Sequence, residues 1–411
     1  MKHTFRALSL PNYRLYLTGQ VISLLGTWIQ QVALAWITYR TTGSPLMLGA
    51  IAFVGQMPLI FLTPVGGWLA DHQDPRRIVY CTQALEMTLA AALALVAYYG
   101  AFSVSLLFAA ALLSGLTAAF ELPARQTFLP EVVSDRKLLP NAIALSSTSL
   151  HAARLLGPAI GGALLAGVGD TWCFALNAVS FLAVFITLSR LSLHPQRLAR
   201  KPRVPFAEGL AFIRARPEIR LMLATVAGAS FALAPFATLL PVYAQDVFAG
   251  GPDVLGSLMA ASGTGSLMAG LWLASHKKVA PLPRAIRWAL LSAAVAIAGF
   301  SHNRLLSLAL LCCLLSGAST SVVLTAGSML LQTLVPLKLR GRVLSFYTMA
   351  FLGVLPVGGL LWGALAGRLG SQNVFLCSAL IELALFGYFS RRYLALTAAL
   401  AAEDRKSGPP A

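Results

Sequence analysis

Twelve apolar stretches, each long enough to cross a lipid bilayer, limit the fold of this sequence more than any other feature. A transmembrane helix needs about 20 predominantly apolar residues to cross the hydrocarbon core. The stretches lie near 15–39, 46–70, 78–99, 102–124, 141–167, 171–189, 221–243, 254–275, 285–301, 305–331, 343–367 and 372–390. They lack the alternation of apolar and polar residues that marks the strands of a membrane β-barrel. The sequence therefore predicts an all-α membrane protein with twelve transmembrane helices.

The composition supports this prediction and excludes the soluble classes of protein. Of the 411 residues, 57% are hydrophobic and only 11% are charged, whereas an ordinary globular chain is about 45–50% apolar and about 25% charged. The segment Met1–Asn12 is short, basic and polar, and the apolar run after it is too long for the core of a signal peptide. We expect that run to remain as the first helix.

The positions of the basic residues predict how the chain lies in the membrane. If the amino terminus is cytoplasmic, 27 of the 31 Lys and Arg residues fall on the cytoplasmic side. Arg40, Arg304 and Arg368 fall outside, and Arg154 falls within a span. Cytoplasmic loops are enriched in Lys and Arg, so both termini are expected in the cytoplasm and the protein in the cell inner membrane. The net charge of +17 then needs no nucleic-acid partner.

The chain divides into two similar halves. Residues 191–218 are rich in proline and arginine and predict a cytoplasmic linker between an amino-terminal six-helix bundle (1–190) and a carboxy-terminal one (219–396), with a tail at 397–411. Three short sequences of the first half recur about 200 residues later and in the same order. The pairs are Trp68–His72 with Trp272–His276, Gln126–Pro130 with Gln332–Pro336, and Gly162–Gly167 with Gly363–Gly367.

The loop between spans two and three carries a charged motif, G-W-L-A-D-H-Q-D-P-R-R, from Gly67 to Arg77. Gly67 is expected to let two helices approach closely. Asp71 is an anion at a helix end, and Arg76 and Arg77 are cations within reach of it and of neighbouring helix carbonyls. The alternative is that both arginines only set the topology.

A second motif ends span four, from Glu121 to Val133. Glu121 and Arg125 are four residues apart, so they share one helix face and can pair. We expect the pair to reach Asp71 or its loop and to act at a cytoplasmic gate. The alternative is a static ion pair at a helix end.

Span five combines small residues with a basic one. Gly157, Pro158, Gly161 and Gly162 predict a kinked helix that crosses a neighbour closely. A guanidinium inside a membrane needs a partner or a wet cavity, so Arg154 is expected either to hold an anionic substrate or to pair with a carboxylate. His151 lies on roughly the same face.

Other polar residues within the spans are candidates for proton or substrate contacts. A carboxylate in a cavity of low dielectric constant can exchange protons with either side, which makes Glu86 a candidate proton carrier. A helix contact is the alternative for Glu86, as it is for Glu382. Asp246 is expected near the periplasm, at an outer gate or in solvent. The candidate cavity residues are Trp28, Gln30, Gln31, Trp36 and Gln56, with a membrane anchor as the alternative for Trp36.

These motifs resemble those of the major facilitator superfamily. The loop motif is similar to G-x-L-a-D-x-x-G-R-R, with Asp74-Pro75 in place of the usual Gly-Arg. The span-four motif resembles D-P-x-R-Q-x-x-x-P-E-x-V of drug and siderophore exporters such as the enterobactin and macrolide exporters, with Glu121 for Asp. The span-five motif resembles the antiporter signature G-x-x-x-G-P-x-x-G-G, with Ala153 for the first glycine. The resemblance covers essentially the whole chain.

The resemblance implies a monomeric secondary transporter that exports a drug, a siderophore or another amphipathic small molecule, driven by protons. It further implies that the loop motif latches the cytoplasmic side. A lysophospholipid transporter or a solute importer is the alternative, whereas an enzyme or a sensor fits the sequence poorly. No Walker A, GxSxG, HExxH or Rossmann sequence is present, and the five cysteines form no CxxC pair. No metal site and no cofactor are expected.

Overall fold

The computed structural model describes residues 6–191, 206–275 and 281–407, and the regular structure of this part is helical. The principal helices are α1 (Pro11–Thr42), α2 (Pro45–His72), α3 (Pro75–Tyr98), α4 (Val104–Val132), α5 (Leu139–Val168), α6 (Asp170–Arg190), α7 (Phe206–Ala215), α8 (Pro217–Val242), α9 (Pro252–Ser275), α10 (Leu282–Ser301), α11 (Leu306–Leu334), α12 (Leu337–Leu352), α13 (Val354–Leu369) and α14 (Ser371–Ser407).

The prediction of an all-α protein with twelve spans is confirmed. The described residues contain twelve helical segments that are long and apolar enough to cross a membrane. Eleven of the helices supply one span each, and α12 and α13 together form the twelfth, Lys338–Leu369. The short helix α7 lies in the segment that the sequence predicts as a linker.

Proline and glycine mark the ends of the helices. Pro11, Pro45 and Pro75 stand in the first turns of α1, α2 and α3, where a missing N–H costs no hydrogen bond. Gly169 and Gly370 join α5 to α6 and α13 to α14 with φ angles of 85° and 82°. A residue with a side chain rarely adopts such angles, so glycine allows one residue to connect two spans.

The chain forms two compact units. The first holds the described residues of Met1–Ala199 together with Pro241–Ala260, and the second holds those of Arg200–Leu240 and Ala261–Ala411. In the first unit α1 packs on α5 and α6, α2 packs on α4, and α3 packs on both α4 and α6. In the second unit α10 packs on α11 and α14, and α13 packs on α14.

The internal repeat extends to the contacts within each unit. A Cβ atom on Gly157 of α5 would lie 2.3 Å from Cβ of Trp28 on α1. A Cβ atom on Gly358 of α13 would lie 2.8 Å from Cβ of Ala234 on α8. Gly358 follows Gly157 by 201 residues, and Ala234 follows Trp28 by 206. Equivalent helices therefore meet at equivalent glycines in the two units.

Both units expose large apolar side chains. Phe61 and Leu95 in the first unit and Val295 and Leu380 in the second are all about 60% exposed. Such a surface suits contact with lipid, because hydrocarbon chains are as apolar as the side chains themselves. The chain is a multi-pass integral membrane protein.

Candidate functional site

An ion pair within the first unit joins Glu121 and Arg125 on α4. Residues four apart lie on the same face of a helix, so the pair forms as the sequence predicts. The side chains of Glu121 and Arg125 are only 12% and 21% exposed. Because solvent hardly screens the two charges, each depends on the other and on neighbouring polar groups.

Two buried glutamines from adjacent helices complete this pair. Gln83 on α3 donates from Nε2 to Oε1 of Glu121 at 2.6 Å. Arg125 donates from Nη1 to Oε1 of Gln20 on α1. The pair therefore forms hydrogen bonds with two neighbouring helices, and these bonds connect α1, α3 and α4 within the bundle. A relay from this pair to Asp71 stays a prediction.

Glu86 continues the same set of polar contacts one turn further along α3. Its Oε1 atom accepts a hydrogen bond from Thr117 on α4, and its Oε2 atom accepts one from Ser114 at 3.3 Å. The helix contact that the sequence offers as an alternative is thus present. We name the whole set the polar strip, which comprises Arg125, Glu121 and Thr117 of α4 with Gln83 and Glu86 of α3.

Three charged residues of the loop motif, Asp74, Arg76 and Arg77, have described contacts. The carboxylate of Asp74 accepts a hydrogen bond from the backbone N–H of Arg76 at 2.9 Å and caps α3. Arg76 donates from Nη2 to the carbonyl of Leu188 on α6, so one predicted arginine does reach a helix carbonyl. Arg77 is exposed, and its Nε atom lies 3.9 Å from Oδ2 of Asp74. Asp71 is also exposed.

The close helix approach expected at Gly67 occurs one residue earlier. A Cβ atom on Gly67 would meet no atom within 4 Å, whereas one on Gly66 would lie 2.3 Å from the carbonyl oxygen of Ala119 on α4. Successive helical residues point about 100° apart, because an α-helix has 3.6 residues per turn. The expectation for Gly67 is therefore wrong, and Gly66 makes the contact between α2 and α4.

Arg154 lies at the middle of α5 with its side chain exposed. Its guanidinium carbon is 5.7 Å from the centre of the Trp28 ring, a distance typical of a cation–π contact. Within the described residues, no carboxylate pairs with Arg154. Gly157 follows one turn later and leaves room for Trp28. The antiporter-like motif thus positions the ring beneath the cation.

The other glycines of this motif also allow close approach, as the sequence predicts. A Cβ atom on Gly161 would lie 3.0 Å from Cα of Ile29 on α1. One on Gly162 would lie 2.7 Å from Cα of Gly256 on α9. Pro158 lies inside the helix between these contacts. The motif therefore meets α1 on one side and α9 on the other.

The predicted cavity residues separate into exposed and buried groups. Gln31 is exposed and Gln56 is partly exposed, which leaves both available to a substrate. Gln30 is buried and accepts a hydrogen bond from Asn177 of α6 at 2.8 Å, and Trp36 is buried as well. Gln30 and Trp36 are packing residues, so the prediction that they line a cavity is wrong. The side chain of His151 lies outside the described part of the structure.

Asp246 has a specific partner. It lies in a π-helical turn, Tyr243–Val247, that follows α8, and it accepts a hydrogen bond from the hydroxyl of Tyr39 on α1. At the same end of α1, Arg40 pairs with Asp170 of α6 at 2.6 Å. Asp246 therefore links the tip between α8 and α9 to α1.

Comparison with known proteins identifies the family. A family model described as transmembrane secretion effector matches residues 3–409. The chain belongs to this family. As the motif resemblance predicts, it is a transporter of the major facilitator type whose homologues include drug and siderophore exporters.

Two relatives and one solved structure illustrate the range of similar transporters. The staphyloferrin A transporter of Staphylococcus aureus (strain NCTC 8325 / PS 47) is 26% identical over 93% of this chain and 96% of the relative. The multidrug efflux pump Tap of Mycolicibacterium fortuitum is 27% identical over 86% of this chain and 89% of the relative. The structure of a bacterial homologue of the human lysosomal transporter Spinster has a TM-score of 0.71 at 14% identity, covering 98% and 99% of the two chains. The last comparison supports the fold alone.

The sequence analysis does not identify several residues that make contacts in this transporter. Gln20, Gln83, Thr117 and Tyr39 belong to none of the recognised motifs. One signal is available for the two glutamines, because a buried amide in an apolar span is costly unless it is hydrogen-bonded. That signal gives no partner, however, and the partners lie on other helices.

Proposed function

We propose that this transporter exports an amphipathic small molecule of the drug or siderophore class across the bacterial inner membrane in exchange for protons. It acts as a monomer by alternating access, with both termini in the cytoplasm. The two relatives described above, named for staphyloferrin A transport and for multidrug efflux, support the substrate class. The observation that carries the proposal is the position of Arg154, an exposed residue within a span whose guanidinium lies over the Trp28 ring.

Arg154 and Trp28 form the substrate contact in this proposal. A guanidinium at mid-membrane is costly unless it faces water, a ligand or a partner group. Its N–H groups suit a carboxylate or another anion, which they can bind with two parallel hydrogen bonds. The Trp28 ring offers an apolar face beside them, and Gln31 lies one turn further along α1 on the same face. This combination favours a molecule with both an apolar ring and an anionic or strongly polar group.

The polar strip provides the route for protons in this proposal. Glu86 is the proton carrier, and Gln83, Glu121 and Arg125 continue from it toward the cytoplasm. A change of charge at Glu86 alters its hydrogen bonds with Thr117 and Ser114, and therefore the contact of α3 with α4. The loop motif, with Asp71, Arg76 and Arg77, acts beside it as the cytoplasmic latch.

The tip between α8 and α9 forms the outer gate. Its hydrogen bond from Tyr39 to Asp246 and its contact of Gly256 with Gly162 join the tip to α1 and α5. The first is a single hydrogen bond, and the second is a contact between two glycines. They are therefore suited to breaking and re-forming during each transport cycle.

Metabolite profiling tests the direction and the substrate together. Cells with the gene, cells without it, and cells carrying Arg154→Leu are compared for small molecules inside the cells and in the medium. We expect at least one amphipathic compound to accumulate inside and to disappear from the medium in the second and third strains. A compound that stays in the medium when the gene is absent would instead indicate import and overturn the proposal.

A further inference from the structure

Glu382 is a carboxyl group enclosed within the second unit. It lies on α14, inside the span Ser371–Leu394, and its exposed fraction is 0%. Neither carboxyl oxygen has a hydrogen-bond partner in the described part of the structure. A buried polar group without a partner is rare in proteins and calls for an explanation.

The neighbours of Glu382 on α14 place it against α8. Ser378 and Leu385 stand one turn before and one turn after it, on the same helix face. The hydroxyl of Ser378 donates to the carbonyl of Ala232 on α8. The side chain of Leu385 lies 3.1 Å from where a Cβ atom on Gly228 of α8 would be. Glu382 is therefore held in the α8–α14 interface between these two contacts.

No basic side chain among the described residues neutralises Glu382. Arg287 on α10 contacts α14 beyond Glu382, where it donates to Ser390 at 3.1 Å and lies over the ring of Phe386. Among the side chains that the structure describes, the charged and titratable groups on the helices that pack around Glu382 are Glu218 and Arg220 of α8, Arg284 and Arg287 of α10, Arg368 of α13, and Cys377, Tyr388, Arg391, Arg392 and Tyr393 of α14.

The surroundings therefore favour the neutral form of Glu382. An ionised carboxylate without water, a hydrogen bond or a counter-ion is far more costly to bury than a protonated one. The protonated group still has a polar O–H and C=O, which the apolar interface does not satisfy. Packing alone does not account for a carboxyl group at this position.

The first unit supplies a direct comparison. Glu382 follows the turn glycine Gly370 by 12 residues, and Phe181 follows the equivalent Gly169 by 12 residues. Phe181 is also buried, with an exposed fraction of 3%. The fold thus accepts a purely apolar side chain at this place, so the carboxyl group of Glu382 is a feature of the second unit and not a requirement of the architecture.

We propose that Glu382 is a proton-binding site of the second unit. It holds a proton in the conformation described here and releases it when α8 and α14 separate enough to admit water. Proton binding at Glu382 does not depend on which substrate the protein transports. Its coupling to export rests on the function proposed above.

Infrared spectroscopy of the full-length protein in liposomes tests the proton binding directly. A protonated carboxyl group without a hydrogen bond gives a carbonyl stretch distinct from that of a hydrogen-bonded one. We expect this band in the wild type, its reversible loss as the pH is raised, and its absence from Glu382→Gln. Glu86→Gln is the matched control and should keep the band, because Glu86 accepts two hydrogen bonds. A band unaffected by Glu382→Gln, or one that never titrates while the protein stays folded, would overturn the proposal.

Transport by the same liposomes separates this inference from the proposed function. Glutamine has the shape of the protonated side chain and leucine is apolar, and neither side chain can release a proton. Glu382→Gln and Glu382→Leu are therefore expected to retain exchange of the substrate found by profiling and to lose its proton-driven accumulation. Wild-type accumulation in both variants would contradict a coupling role. If the wild type shows no proton-driven transport but its band titrates, the proposed function fails and the proton site stands.

Discussion

The two bundles share their helix packing but not their polar chemistry. Where the first bundle has Glu121 and Arg125 on α4, the positions 206 residues later carry Gly327 and Leu331 on α11. A Cβ atom on Gly327 would lie 2.7 Å from the hydroxyl of Tyr347 on α12, so a neighbouring tyrosine occupies the space. The ion pair of the first bundle has been replaced by apolar packing and one hydroxyl.

The same contrast holds at the candidate substrate contact. Arg154 corresponds to Leu355, and Trp28 corresponds to Ala234. The glycines that set the helix contact, Gly157 and Gly358, are present in both bundles. The same glycine contact therefore forms in each half with or without the cation and the aromatic ring, so helix packing alone does not explain Arg154 and Trp28.

Replacing Arg154 by leucine, the residue at the corresponding position of the second bundle, should have the largest effect on transport. We expect Arg154→Leu to lower the transport rate by at least about 10-fold, because the substrate would lose hydrogen bonds to a charged group, which are worth ~1.5–3 kcal/mol. Efflux from liposomes measures the rate. Leu355→Met, the matched control in the second bundle, should transport like the wild type. Equal rates for Arg154→Leu and the wild type would reduce Arg154 to a packing residue.

Replacing the arginine of the ion pair by the corresponding leucine of the second bundle should lower the stability of the protein. Arg125→Leu introduces the residue found at Leu331 and leaves the carboxylate of Glu121 without its cation. The free energy of unfolding is expected to fall by about 3 kcal/mol, as measured by denaturant unfolding in detergent. Adding Glu121→Gln removes the orphaned charge and should restore part of the loss. If the double variant is less stable than Arg125→Leu, the pair is not the unit that we describe.

A smaller effect is expected from filling the shared glycine contact. Gly157→Ala puts a Cβ atom 2.3 Å from that of Trp28, and the overpacking should destabilise the protein by ~1–3 kcal/mol and displace the ring from Arg154. Gly358→Ala meets Ala234 at 2.8 Å and should cost less. Gly167→Ala, with no atom within 4 Å, is the control. Thermal unfolding ranks the three, and an equal cost for all would refute the contact.

The smallest change concerns the outer tip. Tyr39→Phe removes only the hydrogen bond to Asp246, which is worth about 1 kcal/mol. We expect the protein to remain folded and the tip to open more often, so that in a Leu255→Cys background the thiol at this buried position reacts several-fold faster with a water-soluble thiol reagent. Arg40→Gln, which removes an exposed ion pair at the same end of α1, serves as the control. Unchanged reactivity in Tyr39→Phe would argue against a role for this hydrogen bond in the outer gate.

Sequence reasoning succeeded where one helix contains the whole interaction. The number of spans follows from apolar length, and the pairing of Glu121 with Arg125 follows from their spacing. It failed where a contact depends on the rotation of a helix about its axis, as in the choice between Gly66 and Gly67 and in the burial of Gln30. The isolation of Glu382 depends on three helices at once, and no local pattern encodes it.

The glycine turns at Gly169 and Gly370 also limit where the protein can be bound or labelled by reagents in the aqueous phase. Since one residue joins two spans at each turn, neither offers a loop for an antibody, a protease or an inserted tag. An epitope placed at either position would have to pull two helices apart. The turn at residues 99–103, between α3 and α4, offers a longer connection, and it is the better place to attach a label for mapping topology in living cells.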